Sequence, residues 1–177
     1  MKRITSTLSA LVFLAAFAGC AYQEPAKDEP QATLHIITNL PHLSTAGWML
    51  YGDAECQTDQ AMLGAFSKLY AGDKRIQLRA NEKRYLRVNA SSNAGVGSPE
   101  ECLKNTRETR CTKTDMCTAE FEVVPVAGKV YRAELIGTGH QCEVRITDEN
   151  TGEVQQDIRR IPLQSGCMSA KWKPKNQ

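Results

Sequence analysis

The side chains best suited to covalent chemistry in this chain are its seven cysteines. Cys56, Cys102, Cys111, Cys117, Cys142 and Cys167 are spread along the body, while Cys20 stands apart at the end of an apolar run. Three histidines, His35, His42 and His140, could act as bases or ligands, but only His140 lies close to a cysteine, Cys142. The chain has no C-x-x-C pair. Structural zinc sites usually draw ligands from such closely spaced pairs, so disulfides are the favoured reading of the six body cysteines and a metal site is the rival. Neither an H-E-x-x-H zinc helix nor a G-x-S-x-G nucleophile elbow is present. A catalytic set assembled from distant segments stays open. "DENTGE" offers Asp148, Asn150 and Glu153 at spacings like those of a calcium loop. The same residue types are what a turn between two strands requires, and the turn is the simpler reading. No metal and no cofactor are expected.

Cys20 closes the stretch "MKRITSTLSALVFLAAFAGC", in which Lys2 and Arg3 precede an apolar segment from Leu8 to Phe17. That order is an export signal. The apolar segment is too short for a spanning helix, which needs about twenty residues. Small residues Ala18 and Gly19 lead directly into the cysteine, and this resembles the lipobox of bacterial lipoproteins, with Phe17 where that family prefers leucine. The resemblance implies removal of residues 1–19, acylation of Cys20 and anchoring in the cell envelope by several acyl chains. One chain alone would hold only marginally. Ala21, rather than aspartate, follows Cys20, which by the same resemblance implies an outer-membrane location facing the periplasm. Residues 20–31 are polar, carry Pro25 and Pro30, and show no apolar periodicity. They read as a flexible tether.

With Cys20 assigned to lipid, the remaining six cysteines form an even set. In an oxidising envelope they can close three disulfides, with fifteen possible connectivities. Loss of Lys2 and Arg3 with the signal takes the formal net charge from +2 to zero. A neutral head argues against a nucleic-acid partner, which demands a positive footprint. The remaining length suits one domain, spanning residues 32–170, with a polar tail at 171–177.

Short alternating segments dominate that domain. "ATLHIIT" (32–38) and "GWMLYG" (47–52) read as strands. In "KRIQLRANEKRYLRVNA" Ile76, Leu78, Leu86 and Val88 recur at period two around Ala80 to Lys83, which predicts a β-hairpin. "TDQAMLGAFSKLYAGD" places Met62, Phe66 and Leu69 at helical spacing, with Gly72 as a stop, and predicts one short helix. "SSNAGVGSPEE" reads as a loop. "CTAEFEVV", "KVYRAEL" and "CEVRITD" read as three strands, with Cys117, Ala119, Phe121 and Val123 on one face and Cys142, Val144 and Ile146 on another inward face. The fold expected is mainly β: an antiparallel β-sandwich or partly open barrel with one short helix, stapled by disulfides. The stretch from "CTAEFEVVPVAGKVYRAEL" to "CEVRITDENTG" is similar to small bacterial lipoproteins with an all-β head, which supports the fold and implies no activity.

Facing the four apolar residues of the predicted hairpin inward leaves Arg75, Arg79 and Arg87 on its outer face. Such a face suits an acidic envelope protein, a glycan or anionic lipid, although many basic strand faces are only solvated. Three functions fit these observations. The first is a lipid-anchored, non-catalytic binding module, the second an inhibitor of an envelope hydrolase, the third an enzyme whose site is assembled from scattered residues.

Overall fold

The structure, a computed structural model, describes residues 22–39, 44–67, 72–96, 98, 100, 112–137 and 143–163. Nine strands are described: β1 (Gln31–Thr38), β2 (Ser44–Tyr51), β3 (Ala61–Ser67), β4 (Gly72–Arg79), β5 (Arg84–Val96), β6 (Thr112–Val123), β7 (Val130–Ile136), β8 (Glu143–Asp148) and β9 (Ile158–Ile161). They form two sheets, ordered β4-β1-β7-β8 and β3-β2-β5-β6-β9. Each strand turns one set of alternate side chains toward the facing sheet. Ala32, Leu34 and Ile36 of β1, Ile76 and Leu78 of β4, Tyr131, Ala133 and Leu135 of β7, and Val144 and Ile146 of β8 are buried on one side. Trp48 and Leu50 of β2, Leu63 and Phe66 of β3, Leu86 and Val88 of β5, and Ala119, Phe121 and Val123 of β6 come from the other. Two half-apolar sheets removing each other's inner faces from water is the physical basis of a β-sandwich. The inward set on β6, including Cys117, is as expected from its alternation, and so are Val144 and Ile146.

Among the described strands, every pairing is antiparallel except one. β1 lies parallel to β7, with Thr33 opposite Val130 and Thr38 opposite Leu135. Parallel neighbours need a long connection, and here the whole of the second sheet up to β6 intervenes in sequence.

Several sequence-based expectations are overturned. Residues 61–67 form strand β3 rather than a helix. The pairing of β2 with β3 shifts register between Trp48 and Met49, so that Trp48 faces Gly64 while Met49 faces Met62. The extra residue, Leu63, belongs to a β-bulge. A bulge changes the phase of alternation, so the buried residues Leu63 and Phe66 fall three apart, as they would on a helix face. Gly64 is required there: a Cβ on it would lie 2.6 Å from Phe66 Cζ, and one on Gly72 would lie 2.6 Å from Phe66 Cδ1.

Residues 74–90 do not form a hairpin. β4 pairs with β1, from Gln31 opposite Arg79 to Thr38 opposite Gly72, whereas β5 sits between β2 and β6 in the other sheet. The connection 80–83 is a corner that crosses from sheet to sheet. Ala80 N donates to Pro30 O at 2.9 Å and Asn81 N to Pro125 O at 2.7 Å, with Asn81 at φ 62°. Both backbone donors are thus drawn to the neighbouring corners, which turns the chain out of the first sheet. Residues 91–96 of the expected loop instead extend strand β5, which continues through "SSNAGV" to Val96. The turn at "DENTGE" is as read: Asp148 Oδ1 accepts from Asn150 N at 2.8 Å and Thr151 N at 3.2 Å, and Gly152 adopts φ 74°.

The polar segment after Cys20 departs from a free tether from Tyr22 onward. Tyr22 packs against the core, and residues 27–29 form a turn that leads into β1.

Candidate functional site

Among the described residues, the outer face of the four-stranded sheet carries a dense constellation of ionisable groups. On each strand it is formed by the residues that alternate with the core set: His35 of β1, Asp73, Arg75 and Arg79 of β4, Arg132 and Glu134 of β7, and Glu143 and Arg145 of β8. Register brings them into rows. His35 lies between Arg75 and Arg132, and Glu134 lies beside Arg145.

His35 is the centre of this face, only 7% exposed despite pointing away from the sandwich core. Its Nδ1 lies 2.6 Å from Glu149 Oε1 and its Nε2 lies 2.7 Å from Asp73 Oδ1. Carboxylate oxygens only accept, so the imidazolium form of the ring satisfies both by donating from each nitrogen, and the neutral form satisfies one. Glu149 is further held by Arg75, whose Nη1 and Nη2 donate to its two oxygens at 2.9 and 2.8 Å. This bidentate pairing, followed by the contact from His35, holds the Glu149 carboxyl below its usual range. Glu134 is likewise lowered by the hydrogen bond from Arg132, at 2.6 Å. The result is a cross-braced lattice of alternating charge on the sheet's outer face. With both ring nitrogens occupied by carboxylates, His35 has no free nitrogen for a metal or a nucleophile. Among the described residues, no group of three or more His, Cys, Asp or Glu side chains is arranged to hold a metal ion.

A second feature lies at the edge where β3 and β4 meet. A cavity of about 420 Å³ is lined by Tyr22, Gln60, Asp59, Arg79, Arg84 and apolar Leu50 and Leu78, among others. Its guanidinium groups are already engaged: Arg84 reaches Asp59 at 3.0 Å and Glu82 at 2.9 Å, and Arg79 reaches Glu29 at 3.0 Å.

The chain matches no family model, no curated protein and no solved structure.

The three arginines predicted to share one outer face are separated. Arg75 and Arg79 do lie on the same side of β4, half-exposed and each paired with a carboxylate. Arg87 belongs to the other sheet. It points away from the core yet is only 5% exposed, and its Nη1 lies 3.1 Å from Glu120 Oε1, itself 4% exposed, directly across on β6. The exposed role expected for Arg87 is therefore corrected: it belongs to a buried ion pair, whose removal on one side leaves an uncompensated charge.

Of the cysteines, Cys56 lies in the β2–β3 connection with φ 58° and Cys117 is buried on β6. Cys20, Cys102, Cys111, Cys142 and Cys167 lie outside the described residues, as do His42, His140 and the tail 171–177. Sequence reasoning missed His35 as the centre of a site, because its partners Asp73 and Glu149 are remote in the chain. The only local hint was a polar residue inside a strongly apolar strand pattern.

Proposed function

We propose that this protein is an exported bacterial envelope lipoprotein, anchored by acyl chains on Cys20, whose disulfide-stapled β-sandwich acts as a binding module for another envelope component. The anchor reading is supported by the ordered signal ending in Ala18-Gly19-Cys20. The binding reading is carried by one observation: the four-stranded sheet presents a lattice of paired opposite charges, braced around His35. A rigid pattern of alternating charge gives specificity for a complementary protein surface more than raw affinity. Arg75, picked out from sequence, is one corner of that lattice.

Cross-linking in intact cells tests both halves. Wild-type protein in the membrane fraction should capture a partner, and capture should fall sharply for the double variant Arg132→Glu/Arg145→Glu. The thermal midpoint is read alongside: losing the Arg132–Glu134 and Arg145–Glu143 pairs should cost about 1 kcal/mol or less each, so the variant stays folded at the temperature of the capture. Undiminished capture by the double variant would place the binding surface elsewhere. Cys20→Ser should release the protein from the membrane fraction or leave it unprocessed, and unchanged attachment with normal processing would sink the anchor.

A further inference from the structure

The segment just after the proposed anchor is fastened to the sandwich. Tyr22 Oη donates to Gln77 O at 2.9 Å, and Glu24 Oε1 accepts from Gln77 N at 3.2 Å. Gln77 belongs to β4, an edge strand of its sheet, so these two side chains satisfy backbone groups that no neighbouring strand reaches. Burial of the Tyr22 ring raises its hydroxyl above the usual phenol range. Further along, Glu29 meets Arg79 at 3.0 Å. The strap is thus tied at both ends to the side of the molecule where β3 and β4 come together, a junction also closed by Lys74 Nζ donating to Leu63 O at 2.8 Å. The β8 and β9 edges lie on the opposite side.

This changes the reach of the anchor. Were the eleven residues from Ala21 to Gln31 a flexible coil, the sandwich would sit about 18 Å from Cys20 on average and tumble. With Tyr22 docked, only two peptide units separate the acylated residue from the body of the sandwich, about 7 Å at full extension. Resting on the anchor reading above, we infer that the sandwich is held against the lipid headgroups in one orientation, with the β3–β4 edge toward the membrane. The contact surface includes Gln60 and the exposed Met62 of β3. Arg79 and Arg84 nearby are already paired with carboxylates, so the contact requires no anionic lipid and resists salt. The cavity beside Tyr22 then opens toward the headgroup layer, and the charged face around His35 stands upright, accessible from the side.

The test uses the full mature lipoprotein in phosphatidylcholine vesicles containing nitroxide-headgroup phosphatidylcholine, with a fluorescent non-canonical amino acid at Met62 or at Arg145. Quenching at Met62 should exceed that at Arg145 several-fold and should persist in 0.5 M salt. Equal quenching at the two positions, or stronger quenching at Arg145, overturns the orientation. Inserting a ten-residue Gly-Ser linker between Ala21 and Tyr22 leaves the strap intact and should abolish the difference. A difference that survives the linker means that something other than the short reach orients the sandwich, and the inference fails. Vesicle flotation separates the two levels: if Cys20→Ser floats like the wild type, the anchor reading fails, whereas flotation that depends on Cys20 with equal quenching defeats the orientation alone.

Discussion

At the scale of single residues, the ion pairs on the outer faces differ in what they do for stability. Pairs such as Arg145 with Glu143, both about half-exposed, contribute little, because water and salt screen them. Glu149 is different, being four-fifths covered and held by Arg75 and His35 together. Its folded-state titration is displaced below the ordinary value of 4.5. A carboxylate with a depressed folded value contributes stability that is complete above the unfolded value and is lost as pH falls through the folded one. The share of urea-unfolding stability that Glu149 contributes should therefore be complete above about pH 5 and decline from 4.5 downward. Glu149→Gln should be less stable than the wild type by about 1 kcal/mol at pH 7, and that gap should close as the pH is lowered. A gap of constant size from pH 7 to pH 3 would show that Glu149 acts through packing rather than charge.

At the scale of elements, β3 shows how a bulge disguises a strand. Leu63 and Phe66 fall three apart because Leu63 is the extra residue of the bulge, and the Phe66 ring is boxed between Gly64 and Gly72. Gly64→Ala would push a methyl group into that ring, and Gly72 blocks its retreat. The expected loss is about 1 to 3 kcal/mol, read as a lowered thermal midpoint. An unchanged midpoint would mean that the ring has another place to go. The same reasoning explains what sequence made visible. The β-rich character of 32–38 marked a strand, and period-two alternation in 117–123 and 142–148 marked strands and their inner faces, because each strand's burial is written locally. The destination of a strand is not. β4 and β5 alternate as a hairpin would and are joined by a short corner, but their partners, β1 for one and β2 and β6 for the other, are chosen by distant residues. Arg87 was placed outside for the same reason: local alternation gives the side of the sheet, while burial there depends on what else covers it. The lattice around His35 was invisible on that account, since it exists only once β1, β4 and the turn after β8 are adjacent.

At the scale of the whole molecule, the sheets are held together by pairings between segments far apart in sequence, such as Thr33 with Val130. Closing such long loops costs entropy before contacts reward it, and folds of this kind form slowly. Cross-links that shrink the unfolded ensemble therefore have most leverage here, and this gives the proposed three disulfides a physical role beyond stapling a small core. Each could add about 2 to 4 kcal/mol. Cys117, turned into the core of the second sheet, and Cys56, in the connection at one end of it, would tie segments that the strand pairings alone bring together late. If the six body cysteines are paired and Cys20 carries its lipid as proposed, mature protein purified from the envelope and denatured without reductant should show no titratable thiol. Prior reduction should expose six thiols per chain, lower the urea midpoint and slow refolding. Two or more reactive thiols without reductant would remove at least one bridge from the scheme and return the body cysteines to the metal alternative, which a zinc titration of the same sample would then decide.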